Sequence, residues 1–276
     1  MFAILKKGDE VIVLSPDWVT YRHQVVLNDA VPKVVALNDV FDLDVEKIKK
    51  AISKKTKAII LNSPNNPTGA IYSRSALLKL KKVLNNKGIY MIVDNIYSKI
   101  TYDESYTDPV FFAPQKKYLI LINGLSKSQA LTGWRIGYMV ASKEIIEAIN
   151  SYQGHTTGNA PLLSQIAAQS VIDKGDDVGV FLKVLKKNKD AVDKILRTIP
   201  DISYELPKGA FYYFVNVSKL EKDTVKFCKL LLEEGLALVP GEAFGYSGFV
   251  RISFSSSMLK ITQGLEIFKK FCEKYK

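Results

Sequence analysis

Up to Ala141 the chain alternates short runs rich in β-branched and apolar residues with amphipathic stretches, and this alternation limits its possible folds more than any other feature. The runs are Glu10 to Leu14, Lys33 to Leu37, Ala58 to Leu61, Tyr90 to Val93, Tyr118 to Ile122 and Ile136 to Ala141. Between them lie segments such as Val45 to Ser53 and Ser75 to Asn85, whose apolar residues recur at helical spacing. Strands that alternate with helices pair in parallel and carry the helices on the sheet faces, so an α/β fold with a mainly parallel sheet is expected. Several runs end where an unusual loop begins: Ser15-Pro16-Asp17-Trp18, Asn62 to Gly69, Asp94 to Tyr97 and Gly124 to Lys127. Open α/β sheets bind ligands beyond the carboxyl ends of their strands, so these loops are expected to converge on one site.

Beyond Ala141 the pattern turns helical, with Lys143 to Gln153, Leu162 to Asp173 and a long stretch from Val178 to Arg197 that Pro200 stops. The remainder reads strand, strand, helix, strand, strand, helix: Ser203 to Leu206, Phe211 to Val217, Val225 to Glu234, Ala237 to Val239, Val250 to Phe254 and Leu259 to Tyr275. The expected organisation is a large α/β domain over 1–175, a connecting helix over 176–199 and a small α+β domain over 200–276.

With 276 residues, 47% of them hydrophobic, the chain can bury a large core, which excludes disordered and fibrous classes. Its two cysteines, Cys228 and Cys272, match no metal-ligand or disulfide spacing and are expected to be free thiols in a reducing compartment. The net charge of +11 is spread along helical stretches, as in Lys79, Lys81 and Lys82, which reads as a solvated surface rather than a nucleic-acid site. No apolar run reaches the roughly 18 residues that span a membrane, and the start is too short for a signal peptide, so a cytoplasmic location is expected. Of the 39 basic residues only those at 22, 74, 135, 197 and 251 are arginine. In a chain that uses lysine for general charge, the planar guanidinium fork points to bidentate contacts with phosphate or carboxylate.

Four places carry candidate chemistry. The loop from Asn62 to Gly69 contains two X-Pro bonds, each a candidate for the cis form, and is either a plain rigid turn or a mount that offers the Asn66 amide to a ligand oxygen. Asp94 ends a strand, with Tyr97 three residues on. It either caps the next helix or, buried against a heteroaromatic nitrogen, keeps that nitrogen protonated, with Tyr97 reaching a phenolic oxygen of the same ring. Lys127 sits in a small-residue loop between apolar strands, where partial desolvation would lower its pKa and make its amine a nucleophile. Arg135, flanked by Trp134 and Gly137 before a strand, suits a phosphate, and Arg251, between Val250 and Ile252, is either a strand-edge charge or a carboxylate clamp facing a cleft.

Together, NSPNNPTG, DNIY, SK followed by TGWRIGY, and VRISF resemble the fold-type I aminotransferases of the aspartate aminotransferase class, over essentially the whole chain. The resemblance implies a pyridoxal 5'-phosphate (PLP) enzyme of amino acid metabolism, with Lys127 as the Schiff-base lysine and Arg135 as a ligand of the cofactor phosphate. Asp94 would bind the pyridine nitrogen, Asn66 and Tyr97 the phenolic oxygen, and Arg251 the substrate α-carboxylate. Trp18 resembles the aromatic residue that stacks on the cofactor ring, with ordinary packing as the other reading. The implied activity moves an amino group from an L-amino acid to a 2-oxo acid, and relatives are generally homodimers. A PLP-dependent C–S lyase shares this scaffold, and a shortened regulatory or PLP-binding relative is the further alternative. The run Gly209 to Phe214 either lines the entrance or fills a strand core.

Family members usually carry about a hundred residues before the point where this chain starts, including a glycine-rich phosphate turn and the first strand of the large sheet. Met1 to Leu5 resembles the end of the helix after that turn. The edge that the first strand would cover is expected at Ile136 to Ala141, exposed and prone to self-association. Gly124 stands where many relatives place a phosphate-binding serine, with Ser126 nearby.

Overall fold

The computed structural model describes residues 1–175 and 178–274. The large sheet is built from β1 (Glu10–Ser15), β2 (Val31–Ala36), β3 (Thr56–Asn62), β4 (Tyr90–Asp94), β5 (Leu119–Gly124) and β6 (Gly137–Val140), in the order β2-β1-β3-β4-β5-β6. All neighbours run parallel except β6, which is antiparallel to β5. The first three crossovers contain the helices α1 (Thr20–Val26), α2 (Val45–Ala51) and α3 (Arg74–Leu84).

Strict alternation along the central strands builds two cores. Ile12, Leu14, Ile59, Leu61, Met91 and Val93 face one side, where Leu77, Leu80 and Leu84 of α3 cover them. Val11, Val13, Ala58, Ile60 and Ile92 face the other, against Tyr21 and Val25 of α1 and Ile145. Burial on both faces explains why these strands read as continuous apolar runs. Each of the buried Val, Leu, Ile and Met side chains contributes about 1.5–3 kcal/mol on burial.

The chain continues through α4 (Lys143–Thr156), α5 (Leu162–Asp173) and α6 (Gly179–Leu196) into a four-stranded antiparallel sheet. Its strands are β7 (Ser203–Tyr204), β8 (Tyr212–Asn216), β9 (Val239–Pro240) and β10 (Phe249–Ser253), ordered β7-β8-β10-β9, with α7 (Thr224–Glu233) and α8 (Met258–Lys274) packed on it. Leu185, Val192 and Leu196 of α6 join this second core with Phe227, Phe254 and Phe268. The start expected for the connecting helix at residue 176 and the end expected for the last helix at Tyr275 lie outside the described residues.

The alternation thus produced the expected α/β architecture, with differences at its margins. The helix α1 was not anticipated, and its sequence TYRHQVV has three β-branched residues, so it depends on burying Tyr21 and Val25, one turn apart. Strand β6 is one edge of the sheet, with Tyr138 and Val140 about half exposed, and β2, with Val31 and Val34 similarly exposed, is the other. At the start, the N–H groups of Ile4 and Leu5 donate to the Met1 carbonyl at 3.0 and 3.1 Å, closing a single turn. Among the described residues no helix is long and apolar enough to cross a membrane.

Candidate active site

Strand β1 is flanked by β2 and β3, so the chain leaves it toward one side of the sheet and returns on the other. That reversal opens a crevice beyond the carboxyl ends of β1 and β3. The loops there are Ser15 to Val19 and Asn62 to Gly69, and their Ser15-Pro16, Ser63-Pro64 and Asn66-Pro67 peptides are all cis. Only the latter two were singled out from sequence. The second loop is buried throughout and held by its own side chains: the Asn62 Oδ1 accepts from the Asn66 N–H at 2.9 Å, and the Asn62 amide donates to the Asp94 carbonyl at 3.0 Å.

The second sheet closes on this loop. The N–H groups of Lys208 and Gly209 both donate to the Gly69 carbonyl at 2.9 Å. Arg251 of β10 reaches across the junction, its Nη1 donating to the Asn66 Oδ1 at 2.8 Å while its guanidinium lies over the rings of Tyr212 (4.5 Å) and Phe244 (4.9 Å). The Nε of Arg251 is buried without a hydrogen-bond partner. A buried unpaired donor is costly, so this fork is prepared for an acceptor such as a carboxylate.

Asp94, at the end of β4, accepts from the Tyr21 hydroxyl at 2.6 Å and from the Ile96 N–H at 3.2 Å. Burial raises its pKa, and these two hydrogen bonds pull the other way. Asp94 borders a cavity of about 160 Å³ that Trp18, Tyr21, Ile92, Ile120 and Ile122 also line. Trp18 is partly exposed and meets Tyr21 edge-on at 5.3 Å. The Tyr97 hydroxyl shares a hydrogen bond of 2.9 Å with that of Tyr212, and burial pushes both phenols up. Lys127, half-buried in the turn after β5, is held below the ordinary lysine range by desolvation first and then by the charges of Arg135 and Arg251. Arg135 is exposed, lies in the left-handed region (φ 52°) and donates to the Thr132 carbonyl at 3.0 Å.

A family model described as aminotransferase class I and II matches residues 1–268. The chain belongs to this aminotransferase family. An aspartate aminotransferase from Thermotoga maritima is 37% identical over 272 residues, 98% of this chain and 71% of the relative. An asparagine–oxo-acid transaminase from Streptococcus mutans is 35% identical over 283 residues, covering 99% of this chain and 72% of its own. The solved structure of the Thermotoga enzyme superposes with a TM-score of 0.92 at 36% identity, covering 98% of this chain and 72% of that one. A Thermus thermophilus aspartate aminotransferase determined with maleate also gives 0.92, at 33% identity, with 98% and 71% covered.

This aminotransferase is an enzyme of amino-group transfer, and its family implies amino acid and oxo-acid substrates and PLP as cofactor. Two residues of the site were missed in the sequence. The signal for Tyr21 was its spacing from Val25 on one helix face. Tyr212 fell within the Gly209 to Phe214 run, whose aromatic residues are buried in the cores, and the Tyr212 hydroxyl meets that of Tyr97. The glycine at 124 also has a physical account. A Cβ there would lie 3.0 Å from the Ile136 carbonyl oxygen and 3.2 Å from the Gly137 Cα, because β5 and β6 approach closely at that point.

Proposed function

We propose that this aminotransferase holds PLP with Lys127, Asp94, Tyr97, Asn66, Trp18 and Arg135, and clamps the substrate α-carboxylate with Arg251. What carries this reading is that the Lys127 amine lies within electrostatic reach of both Arg135 and Arg251, one suited to each anionic group of cofactor and substrate. The residues present fit the cofactor. The desolvated Asp94 carboxylate beside an apolar cavity suits a protonated ring nitrogen, and the unsatisfied Arg251 Nε suits a carboxylate. When bound, PLP supplies an aldehyde carbon for amino exchange and a ring that accepts electron density.

Each residue's part follows from its surroundings. Lys127 is the attachment point for the aldehyde. Its depressed pKa keeps more of its Nζ uncharged near neutrality, so it can remove the proton from the substrate Cα. Arg251 fixes that Cα by its carboxylate, and Asn66 orients the guanidinium from the far side of the junction. Asp94, backed by Tyr21, holds the ring nitrogen protonated, while Tyr97 holds the phenolic oxygen with Tyr212 as its neighbour. The Thermus relative solved with maleate, a dicarboxylate, supports an acidic amino acid donor.

The two distinct sheets, with α6 between them along the chain, support a division into a large domain over 1–175, a connecting helix over 176–199 and a small domain over 200–276. The exposed apolar side chains of β6 and α5, among them Tyr138, Val140, Leu162 and Ile166, support a homodimer, and the two buried free thiols support a cytoplasmic location. The test is spectroscopic and kinetic. Adding PLP is expected to produce a visible absorption band that the Lys127→Ala variant lacks, and aspartate with a 2-oxo acid is expected to turn over only in the parent. Parental turnover in Lys127→Ala would sink the assignment.

A further inference from the structure

Arg22 is an arginine that the proposed chemistry leaves unused. It lies on α1 and grips Asp17 with both Nε, at 2.9 and 3.1 Å, and Nη2. The Asp17 side chain is only 1% exposed, against 30% for Arg22. A buried ion pair is weak support for stability, because desolvation offsets most of the attraction, so its value here is geometric.

The pair sits where the loop carrying Trp18 meets the turn leading out of Phe244. The Asp17 N–H donates to the Phe244 carbonyl at 3.1 Å, and the Ser15 hydroxyl donates to the Gly245 carbonyl at 3.0 Å. The Arg22 guanidinium occupies the space beside Gly245 where a Cβ would otherwise project, and Gly245 itself has φ +66°. Contacts therefore run without a break from one end of the site to the other. Asp94 binds Tyr21; Tyr21 and Arg22 are adjacent on α1; Arg22 holds Asp17; Asp17 binds the backbone of Phe244; and the Phe244 ring supports Arg251.

The geometry points to Asp17, Arg22 and Gly245 as a pin that fixes the Trp18 loop and the Phe244 turn against each other, so that Asp17 and Arg22 are positioning residues for substrate binding. The inference rests on the reading of Arg251 as the carboxylate clamp. With the pin loosened, the Arg251 support and the Trp18 loop must be ordered by the substrate itself, and the cost falls on substrate binding rather than on the later chemistry.

The test uses the PLP-loaded enzyme and three variants: Arg22→Gln, Asp17→Asn/Arg22→Gln and Gly245→Ala. Arg22→Gln leaves a buried carboxylate unpaired and is expected to lose thermal stability, which the double variant recovers. In all three, KM for aspartate is expected to rise about tenfold while kcat stays within about twofold, a modest coupling between positioned groups. Trp18, isolated as the sole tryptophan by Trp134→Phe, is expected to become more accessible to acrylamide quenching, even before PLP is added. Parental KM and parental quenching in a folded double variant and in Gly245→Ala overturn the pin, as does a loss of kcat with KM unchanged. Arg251→Gln is measured alongside. A parental KM there removes the carboxylate reading and the pin with it, whereas a raised KM there beside parental double-variant values removes the pin alone.

Discussion

In its proposed role, Asp94 serves the reaction at the expense of the fold. Its pKa is raised by burial, so the charged form is less favourable in the folded protein than in the unfolded chain. The folded state therefore binds more protons in the window between the ordinary carboxylate pKa and the raised one, and stability from this group falls as pH rises through that window. Asp94→Asn keeps an acceptor for the Tyr21 hydroxyl and removes the charge. In the cofactor-free protein it is expected to raise unfolding stability at neutral pH by about 1–2 kcal/mol, the usual gain from relieving a strained functional group. That gain should shrink on acidification, as measured by urea denaturation at several pH values. Turnover should fall by about a hundredfold or more, since the ring nitrogen loses its countercharge. An Asp94→Asn protein less stable than the parent at neutral pH contradicts the account.

At the level of elements, α3 shows how the site is supported from below. Ser73 caps it by accepting from the Ala76 N–H at 3.2 Å, and Leu77, Leu80 and Leu84 press on β3 and β4, whose ends lead to Asn66 and Asp94. Leu80→Ala is expected to cost about 2–5 kcal/mol by chemical denaturation. Ser73→Ala is expected to cost about 1 kcal/mol, and equal losses in the two would contradict the packing described. Helices and central strands of this kind were legible in the sequence because both their periodicity and their length are strong. So were the loops after β1, β3, β4 and β5, since their Pro, Gly and Asn clusters interrupt apolar runs. The helix α1 was not legible, being seven residues long with low intrinsic propensity and held by tertiary packing. With it went Tyr21, the partner of Asp94. The Asp17–Arg22 pair spans five positions, a spacing that matches neither a helix face nor a strand face. Likewise, the Asn66–Arg251 contact joins residues 185 apart, and no local pattern encodes it.

At the scale of the whole molecule, the two sheets share apolar packing, Phe214 and Phe244 joining the core of the large sheet and Tyr97 and Ile100 that of the second, and the candidate site lies at their junction. The connection from β5 to β6 carries both Lys127 and Arg135, and β6 is an edge strand of the large sheet. The far anchor of the lysine turn is therefore a strand paired on one side only. On the proposed assignment, a second copy of the chain settling against that edge would stiffen the mount of Lys127. Specific activity is accordingly expected to depend on how concentrated the enzyme is. It should fall on dilution in step with loss of the proposed dimer in light scattering, and return on reconcentration. A constant value across the dissociation range would show that the amine is held without its neighbour.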